Sequence, residues 1–326
     1  MHCSPSAQEA LRGAFVVLPA VTYANVGELA LDVLVTSLAP VTALGPLESA
    51  NCLPVVGNDA FDQEASASTS NIDGGAISSS RAAGIGVMTT ALELFAIPGS
   101  QPPLVFLQQR APAALGRQAA FAEELVTWLR QRGAAGVVVL TGLDAQLRRD
   151  RQLDSSPFRF LTSSEHLRSA CAAASALHAA TAPPPLDPYT YAAGDLGGGL
   201  GDAAAASSAA LAAAPLAELE PELRAEELQL HHSLPPWPLL SEADRQGLPY
   251  ALLGCFAAEG DNAGEGVALA AHAVRLLEAL AGGGSEGKGE GDAGARLHAA
   301  AREAGALRTP RSWVGLYGRS FPQEIF

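Results

Sequence analysis

Four short runs of apolar residues, rich in β-branched and aromatic side chains, constrain this chain more than any other feature of its sequence. They are Phe15–Leu18, Leu104–Leu107, Val137–Leu140 and Tyr250–Phe256. Each has the length of a β-strand and lacks the polar alternation of a strand that faces water on one side. Such runs are typical of strands buried on both faces, as in a parallel sheet.

Helical patterns separate these runs. From Val26 to Ser37, apolar residues recur at the three- and four-residue spacing of an α-helix. The same spacing occurs between Phe121 and Leu129, before Gly133, and again between Val267 and Leu277. Strands that alternate with helices predict an α/β fold, in which helices cover both faces of a mainly parallel sheet.

Two predicted helix starts carry the same pattern, Asn25-Val-Gly-Glu28 and Asn262-Ala-Gly-Glu265. An Asn at the N-cap with a Glu three residues later predicts a capping-box-like arrangement. Because each pattern follows a predicted strand, both lie at carboxyl ends of sheet strands, where α/β proteins usually bind ligands or partners. Two interpretations stay open: these residues cap helices only, or they also contact a partner.

The charge balance excludes some classes of partner. The 326 residues carry a formal net charge of −14, with a pI near 4.9. Nonspecific binding to nucleic acid or to an anionic membrane would be electrostatically unfavourable for such a chain. No apolar run approaches the ~20 residues of a membrane-spanning helix. We therefore expect neither a nucleic-acid partner nor a membrane partner.

The cysteines indicate a reducing compartment. Cys3, Cys52, Cys171 and Cys255 are scattered along the chain without a CxxC pair, which disfavours a disulfide framework or a zinc ribbon. The apolar residues 13–21 faintly resemble a secretory signal, but a strand that leads into a helix accounts for them better. We expect a soluble protein of the cytoplasm, with the nucleus as a second location.

Low-complexity stretches interrupt one predicted domain, which spans residues 1–326. They are a Ser-rich loop (62–80), an Ala/Pro/Gly-rich insert (168–232) and a Gly-rich linker (281–295), and a C-terminal tail (309–326) follows them. Stretches of this composition are typical of flexible connections rather than of packed cores. The sequence therefore predicts inserted loops, not a string of separate domains.

Motifs that suggest catalysis have the wrong context. Gly283–Gly287 fits the nucleophile-elbow pattern and Gly289–Gly294 fits G-x-G-x-x-G, but neither follows a predicted strand. We expect the adjacent His231 and His232 on a surface loop, because a metal site would need further ligands that converge on it. The sequence nominates no Ser/His/Asp or Cys/His set. We predict no catalytic residue, cofactor or metal, and therefore no enzyme.

Motifs spread from the first strand to the last residues form an ordered set. The segment Leu18–Leu34 combines Pro-Ala with Asn-Val-Gly-Glu-Leu-Ala-Leu-Asp. It is followed by Cys52–Asn58, Arg149–Leu161, Phe256–Asn262 and Ser312–Gly318. In this order the segments resemble the proteasome assembly chaperone 2 family, and the resemblance covers nearly all of the chain except its low-complexity stretches.

This resemblance implies a fold and a function. The implied fold is a three-layer αβα sandwich, related in shape to nucleoside phosphorylases. The implied function is a chaperone that forms a heterodimer with proteasome assembly chaperone 1, binds proteasome α subunits and promotes assembly of the 20S proteasome α ring. Two alternatives stay open: a phosphorylase- or hydrolase-like enzyme on the same fold, and an adaptor unrelated to proteasomes.

The residues predicted to bind partners lie at the sheet edge and in the tail. They are Asn25, Gly27, Glu259, Asp261, Asn262, Ile325 and Phe326. Factors that dock on the proteasome α ring often end in a hydrophobic–tyrosine–any motif. This chain supplies the hydrophobic and aromatic members but no final residue and no phenol. The tail is therefore expected either to dock in an α-ring pocket or to pack against its own domain.

Overall fold

The apolar runs predicted as strands are buried along their whole length in a computed structural model of the chain. The structure describes residues 1–21, 23–58, 88–153, 155–181, 211–282, 292–302, 306–313 and 316–317. Its strands are β1 (Phe15–Pro19), β2 (Thr42–Pro46), β3 (Val56–Asn58), β4 (Met88–Thr90), β5 (Leu92–Ala96), β6 (Leu104–Gln109), β7 (Gly136–Asp144), β8 (Phe158–Thr162), β9 (Ala217–Glu218) and β10 (Tyr250–Ala257). All four predicted strands are confirmed, as β1, β6, β7 and β10.

Most of the helices lie in the connections between these strands, while the first helix precedes β1 and the last two follow β10. They are α1 (Pro5–Ala10), α2 (Val26–Ser37), α3 (Gln118–Gln131), α4 (Asp150–Leu153), α5 (Glu165–Thr181), α6 (Pro221–His231), α7 (Trp237–Gln246), α8 (Ala263–Leu280) and α9 (Asp292–Arg302). The three predicted helices are confirmed as α2, α3 and α8. In the described residues, no helix is both long and apolar enough to cross a membrane.

Eight strands form one sheet in the order β2-β5-β6-β1-β7-β10-β8-β9. Strands β6, β1, β7 and β10 are parallel neighbours at its centre, whereas β5 and β8 run antiparallel to β6 and β10. The carboxyl ends of the four central strands therefore meet at one edge, here called the carboxyl edge. Strands β3 and β4 form a separate antiparallel pair.

Alternate side chains of the central strands enter two cores. Val17 and Val138 pack under α2, α5, α8 and α9, whereas Val16 and Val139 pack under α1, α3, α6 and α7. All four valines are fully buried, and each contributes roughly 1.5–3 kcal/mol through removal of its side chain from water. The predicted αβα sandwich is confirmed, with a sheet that is mixed at both sides of its parallel centre.

Part of the predicted insert, residues 168–232, belongs to the fold. Its first residues continue α5, and its last residues form β9 and α6. The two flanks meet: Ser175 Oγ donates to the carbonyl of Leu216 at 3.1 Å, and Arg168 pairs with Glu218. The Ser-rich loop 62–80 lies outside the described residues, as do most of the Gly-rich linker and the tail beyond residue 317.

Candidate functional site

The loop between β1 and α2 holds two residues in the left-handed region of backbone conformation. Ala24 has a φ of 60° and Asn25 a φ of 53°. Asn enters this region readily, whereas for Ala it costs about 1–2 kcal/mol. The Ala24 N–H donates to Glu259 Oε1 at 3.4 Å, which connects this loop to the loop after β10. The neighbouring structure therefore holds a strained conformation in place.

Two glycines allow this loop to lie directly on β7. A Cβ atom at Gly27 would lie 2.2 Å from the carbonyl oxygen of Leu140, and one at Gly142 would lie 2.2 Å from the carbonyl oxygen of Tyr23. Both distances are far inside van der Waals contact, so no other residue type fits without backbone movement. Gly27, a predicted partner-binding residue, is buried in this contact. The structure gives it a packing role.

The capping-box prediction is wrong at both helices. Asn25 makes no side-chain cap hydrogen bond, because its left-handed backbone is not the extended conformation of an N-cap. Asn262 makes none either. Its Nδ2 donates instead to the carbonyls of Ala258 at 2.9 Å and Gly260 at 3.0 Å. The buried Asn262 side chain therefore stabilises the β10–α8 loop through hydrogen bonds to its backbone.

The predicted partner-binding residues divide into two groups at the carboxyl edge. Asn25, Glu259 and Asp261 are exposed, whereas Gly27 and Asn262 are buried. Asp261 Oδ1 accepts a hydrogen bond from the first N–H of α8, that of Ala263, at 3.2 Å. Ile325 and Phe326 lie outside the described residues. Partner binding by these residues stays a prediction, and the three exposed ones define the edge surface.

Asp32, in the middle of α2, forms a buried charge cluster with residues at the end of β6. Arg110 donates to both of its carboxylate oxygens, at 3.1 and 2.5 Å, and Gln108 Nε2 donates to Oδ1. The indole of Trp313 donates to the same carboxylate. Burial raises the pKa of Asp32, and the Arg110 guanidinium opposes that rise. The cluster joins α2, the sheet and the first residues of the C-terminal tail.

Glu28 lies beside this cluster without a matching donor. Its Oε2 is buried and has no hydrogen-bond partner in the described part of the chain. Burial raises the pKa of Glu28 to about 8, against the opposing charge of Arg110. The carboxyl is therefore mostly protonated at neutral pH, although it stands in the first turn of α2, where a carboxylate is normally favoured.

A second polar cluster connects the β1–α2 loop to α6. The Tyr23 hydroxyl lies 2.8 and 2.9 Å from the two ring nitrogens of His231. His231 Nε2 lies 3.4 Å from Asp144 Oδ2, and Glu227 Oε1 accepts the Asp144 N–H at 2.9 Å. The expected surface loop at residues 231–232 is thus corrected: His231 ends a helix and contacts the sheet edge, and only His232 is exposed.

The Tyr23 phenol and the thiols of Cys52 and Cys171 are poorly suited to nucleophilic catalysis. Burial, followed by the charges of Asp144, Glu227 and Glu259, raises the pKa of Tyr23, so the phenol stays protonated. Burial also raises the pKa of Cys52 to about 11 and that of Cys171 to about 12, whereas an activated thiol has a lowered pKa. Among the residues that the structure describes, no group of three metal-ligating side chains converges.

Sequence reasoning missed the residues that form both clusters. Asp32 and Trp313 lie within the quoted motifs, so the signal was present, but no role was assigned to them. Arg110 is 78 residues from Asp32, and Tyr23 is 208 residues from His231. Contacts across such separations leave no periodic pattern in a single sequence. Only the fold reveals these pairs.

Curated proteins similar to this chain carry the name proteasome assembly chaperone 2. A proteasome assembly chaperone 2 of Nematostella vectensis is 34% identical over 153 residues, which are 47% of this chain and 55% of that protein. The Homo sapiens proteasome assembly chaperone 2 is 30% identical over 159 residues, 49% and 52% of the two chains. The matched part therefore spans about half the length of these curated relatives.

A solved structure and a family model extend the comparison. PbaA of Pyrococcus furiosus, an archaeal homolog of proteasome-assembly chaperone, is 14% identical with a TM-score of 0.41, covering 89% of this chain and 83% of that one. The model of the PAC2 family matches residues 16–280. This match runs from β1 to the last residue of α8, and the chain therefore belongs to the PAC2 family.

Proposed function

We propose that this chain is a proteasome assembly chaperone subunit that works by binding other proteins. Membership of the PAC2 family and the names of its curated relatives support the proposal. In its finer form, the chain pairs with proteasome assembly chaperone 1 as a heterodimer, binds proteasome α subunits and promotes assembly of the 20S α ring. It does so in the cytoplasm and the nucleus.

The structural observation that carries this proposal is the edge surface formed by Asn25, Glu259 and Asp261. All three side chains are exposed, and the loops that present them are joined by the hydrogen bond from Ala24 to Glu259. Asn262 fixes the second loop through its two bonds to carbonyls. A surface held in this way loses little conformational entropy when a partner binds.

Capture of partners by full-length protein tests the proposal. The Asn25→Gly/Glu259→Gln variant removes one side chain and one charge from the edge surface. It keeps a residue that accepts the left-handed backbone and an acceptor for the Ala24 N–H. We expect binding to proteasome assembly chaperone 1 or to α subunits to weaken at least about fivefold, as for a moderate interface residue. The melting temperature should stay unchanged.

The control is Glu123→Gln, which removes an exposed carboxylate on α3, away from the edge surface. Equal affinity of the edge variant and the control would contradict a partner-binding role for the edge surface. Binding to a heterodimer partner without any α subunit would favour the adaptor alternative. Mass-spectrometric identification of the captured chains distinguishes these outcomes.

One observation favours a phosphorylase- or hydrolase-like enzyme as the second candidate. Glu28 is partly buried, with its Oε2 shielded from solvent, and its pKa is raised to about 8. Perturbed groups of this kind concentrate at catalytic sites. An enzyme of this class would bind phosphate or a nucleoside at the carboxyl edge. A saturable rise in melting temperature with either ligand, abolished by Glu28→Gln, would favour the enzyme. No shift would favour the chaperone.

A further inference from the structure

Helix α6 differs from the long helices of the sandwich in how it is attached. Along its eleven residues only Leu223 and Glu227 are buried, whereas twelve residues of α8 are buried. Leu230, near its end, is 60% exposed. Apolar burial stabilises most protein helices against their domain. The apolar contacts of α6 are limited to Leu223 and the partly buried Leu228, so polar contacts contribute much of what holds this helix in place.

Arginines from the β7–β8 connection face two glutamates of α6, one in its first turn and one in its middle. Arg149 pairs with Glu226, and Arg151 Nη2 lies 3.7 Å from Glu222 Oε1. Both pairs have side chains exposed to solvent by a third or more. Exposed pairs of this kind contribute little each and are screened by salt. They hold the outer side of α6 only weakly.

The two ends of α6 carry stronger anchors. Before the helix, Glu220 accepts two hydrogen bonds from Arg159, at 2.8 and 3.0 Å, and Arg159 is only 1% exposed. At the end of the helix, His231 contacts the Tyr23 hydroxyl. The Arg159–Glu220 pair, in which the arginine is buried and the glutamate is 30% exposed, therefore serves as the hinge side of α6. His231 serves as its latch at the carboxyl edge.

We propose that α6 is a releasable strap over the carboxyl edge. It opens as a local unit about the Arg159–Glu220 pair. Opening breaks the two exposed ion pairs, the His231–Tyr23 contact and the Asp144–Glu227 hydrogen bond, and it withdraws Leu223 from the edge of one core, while the rest of both cores stays folded. Units with few apolar contacts are the ones that open below the free energy of global unfolding. Opening gives solvent or a partner access to Tyr23 and Asp144. This inference concerns the free chain and does not depend on the proposed function.

Hydrogen exchange of the intact chain, resolved by mass spectrometry, tests the strap. The Glu222→Ala/Glu226→Ala variant removes both exposed pairs. We expect exchange of the α6 amides to rise about 2- to 30-fold, the range that corresponds to loss of two surface pairs, with no change in α3 or α8. The matched control, Glu123→Ala/Glu242→Ala, removes two carboxylates that pair with Arg245. It should leave α6 unchanged.

A second variant addresses the latch without removing charge. Tyr23→Phe deletes only the hydroxyl that contacts His231, and we expect exchange at the end of α6 to rise about 2- to 12-fold, as for loss of one hydrogen bond. Unchanged exchange of α6 in both variants would overturn the strap. Equal increases in α6, α3 and α8 would overturn it too, because they would report global destabilisation. A rise confined to α6 supports it.

Discussion

The loops that begin α2 and α8 share the pattern Asn-x-Gly-Glu, but their asparagines differ in exposure and in hydrogen bonding. In the first, Asn25 is exposed with a left-handed backbone, and its side chain makes no cap hydrogen bond. In the second, Asn262 is buried and bonds two carbonyls of its own loop. Identical Asn-x-Gly-Glu patterns thus give one residue available to a partner and one that stabilises a loop.

The glutamates of the two patterns also have different surroundings. Glu28 lies against the charge cluster of Asp32 and Arg110, and burial there raises its pKa to about 8. Glu265, in the first turn of α8, has no such cluster beside its helix in the described contacts. The comparison shows that a local motif specifies where a helix begins, whereas tertiary neighbours decide what its polar residues do.

The largest effect should come from Gly27→Ala. The new Cβ would meet the backbone carbonyl of Leu140 at 2.2 Å, and overpacking against a backbone atom costs about 3 kcal/mol or more. Gly266→Ala at α8 is the matched change, since its Cβ would meet a side-chain atom of Leu29 at 2.7 Å. Urea denaturation should show the smaller loss for Gly266→Ala. A larger loss of stability for Gly266→Ala than for Gly27→Ala would contradict the packing role given to Gly27.

Next in size is Asn262→Ala, which leaves two carbonyls without their donor and should cost about 1–3 kcal/mol. Asn25→Ala should cost less, about 1 kcal/mol, because it adds only left-handed strain. Asn25→Gly separates the two contributions, since glycine removes that strain and should restore stability. Equal losses for the two alanine variants, measured by chemical denaturation, would revive the capping interpretation.

The pH dependence of stability should distinguish the two glutamates. The folded pKa of Glu28, about 8, lies above its ordinary value of 4.5, so the folded state binds the proton more tightly than the unfolded state. The contribution of protonated Glu28 is complete below pH 4.5 and is lost as the pH rises through 8. Glu28→Gln should therefore be the more stable form at pH 9, with a gap that narrows toward pH 5.

Unfolding free energies at pH 5, 7 and 9 test this prediction, with Glu265→Gln as the control for loss of a first-turn carboxylate. A constant gap between Glu28→Gln and the parent chain across this range would show that Glu28 does not titrate as a buried acid. The two loops would then not differ in the electrostatic environment of their glutamates.

The smallest effect should come from Glu259→Ala. It removes the acceptor of the Ala24 N–H, a long bond of 3.4 Å between the two loops, and should cost about 0.5 kcal/mol. Glu259→Gln keeps an acceptor oxygen and should leave thermal stability unchanged. A loss above that of Asn262→Ala would show that the bond between the loops, not the bonds within each loop, holds the carboxyl edge together.

The central strands of the sheet could be predicted from the sequence, and the reason is physical. Strands β1, β6, β7 and β10 are buried on both faces, so their residues form continuous apolar runs. The short edge strands β2 and β9 contain Gly, Pro or polar residues and left no such signal. Helix α6 was concealed within the predicted insert because its composition is polar and only two leucines, Leu223 and Leu228, face the core.

The candidate site was predicted in location but not in detail. Asn25, Glu259 and Asp261 were placed at the sheet edge because parallel strands end together, which needs only local patterns. The Asp32–Arg110 pair and the Tyr23–His231 contact depend on how distant segments pack. The two asparagines were misread as caps because a cap looks alike in sequence whether or not the backbone adopts the extended conformation that capping requires.

The contacts that join α5 to β9 affect how this chain tolerates length changes. Ser175 with Leu216 and Arg168 with Glu218 close the connection at its base. The sequence between these contacts is rich in Ala, Pro and Gly, and for a connection of that composition a doubling in length costs about 0.6 kcal/mol of loop-closure entropy. We therefore expect insertions and deletions between residues 182 and 210 to be tolerated over evolution, because the contacts at the base keep α6 at the carboxyl edge.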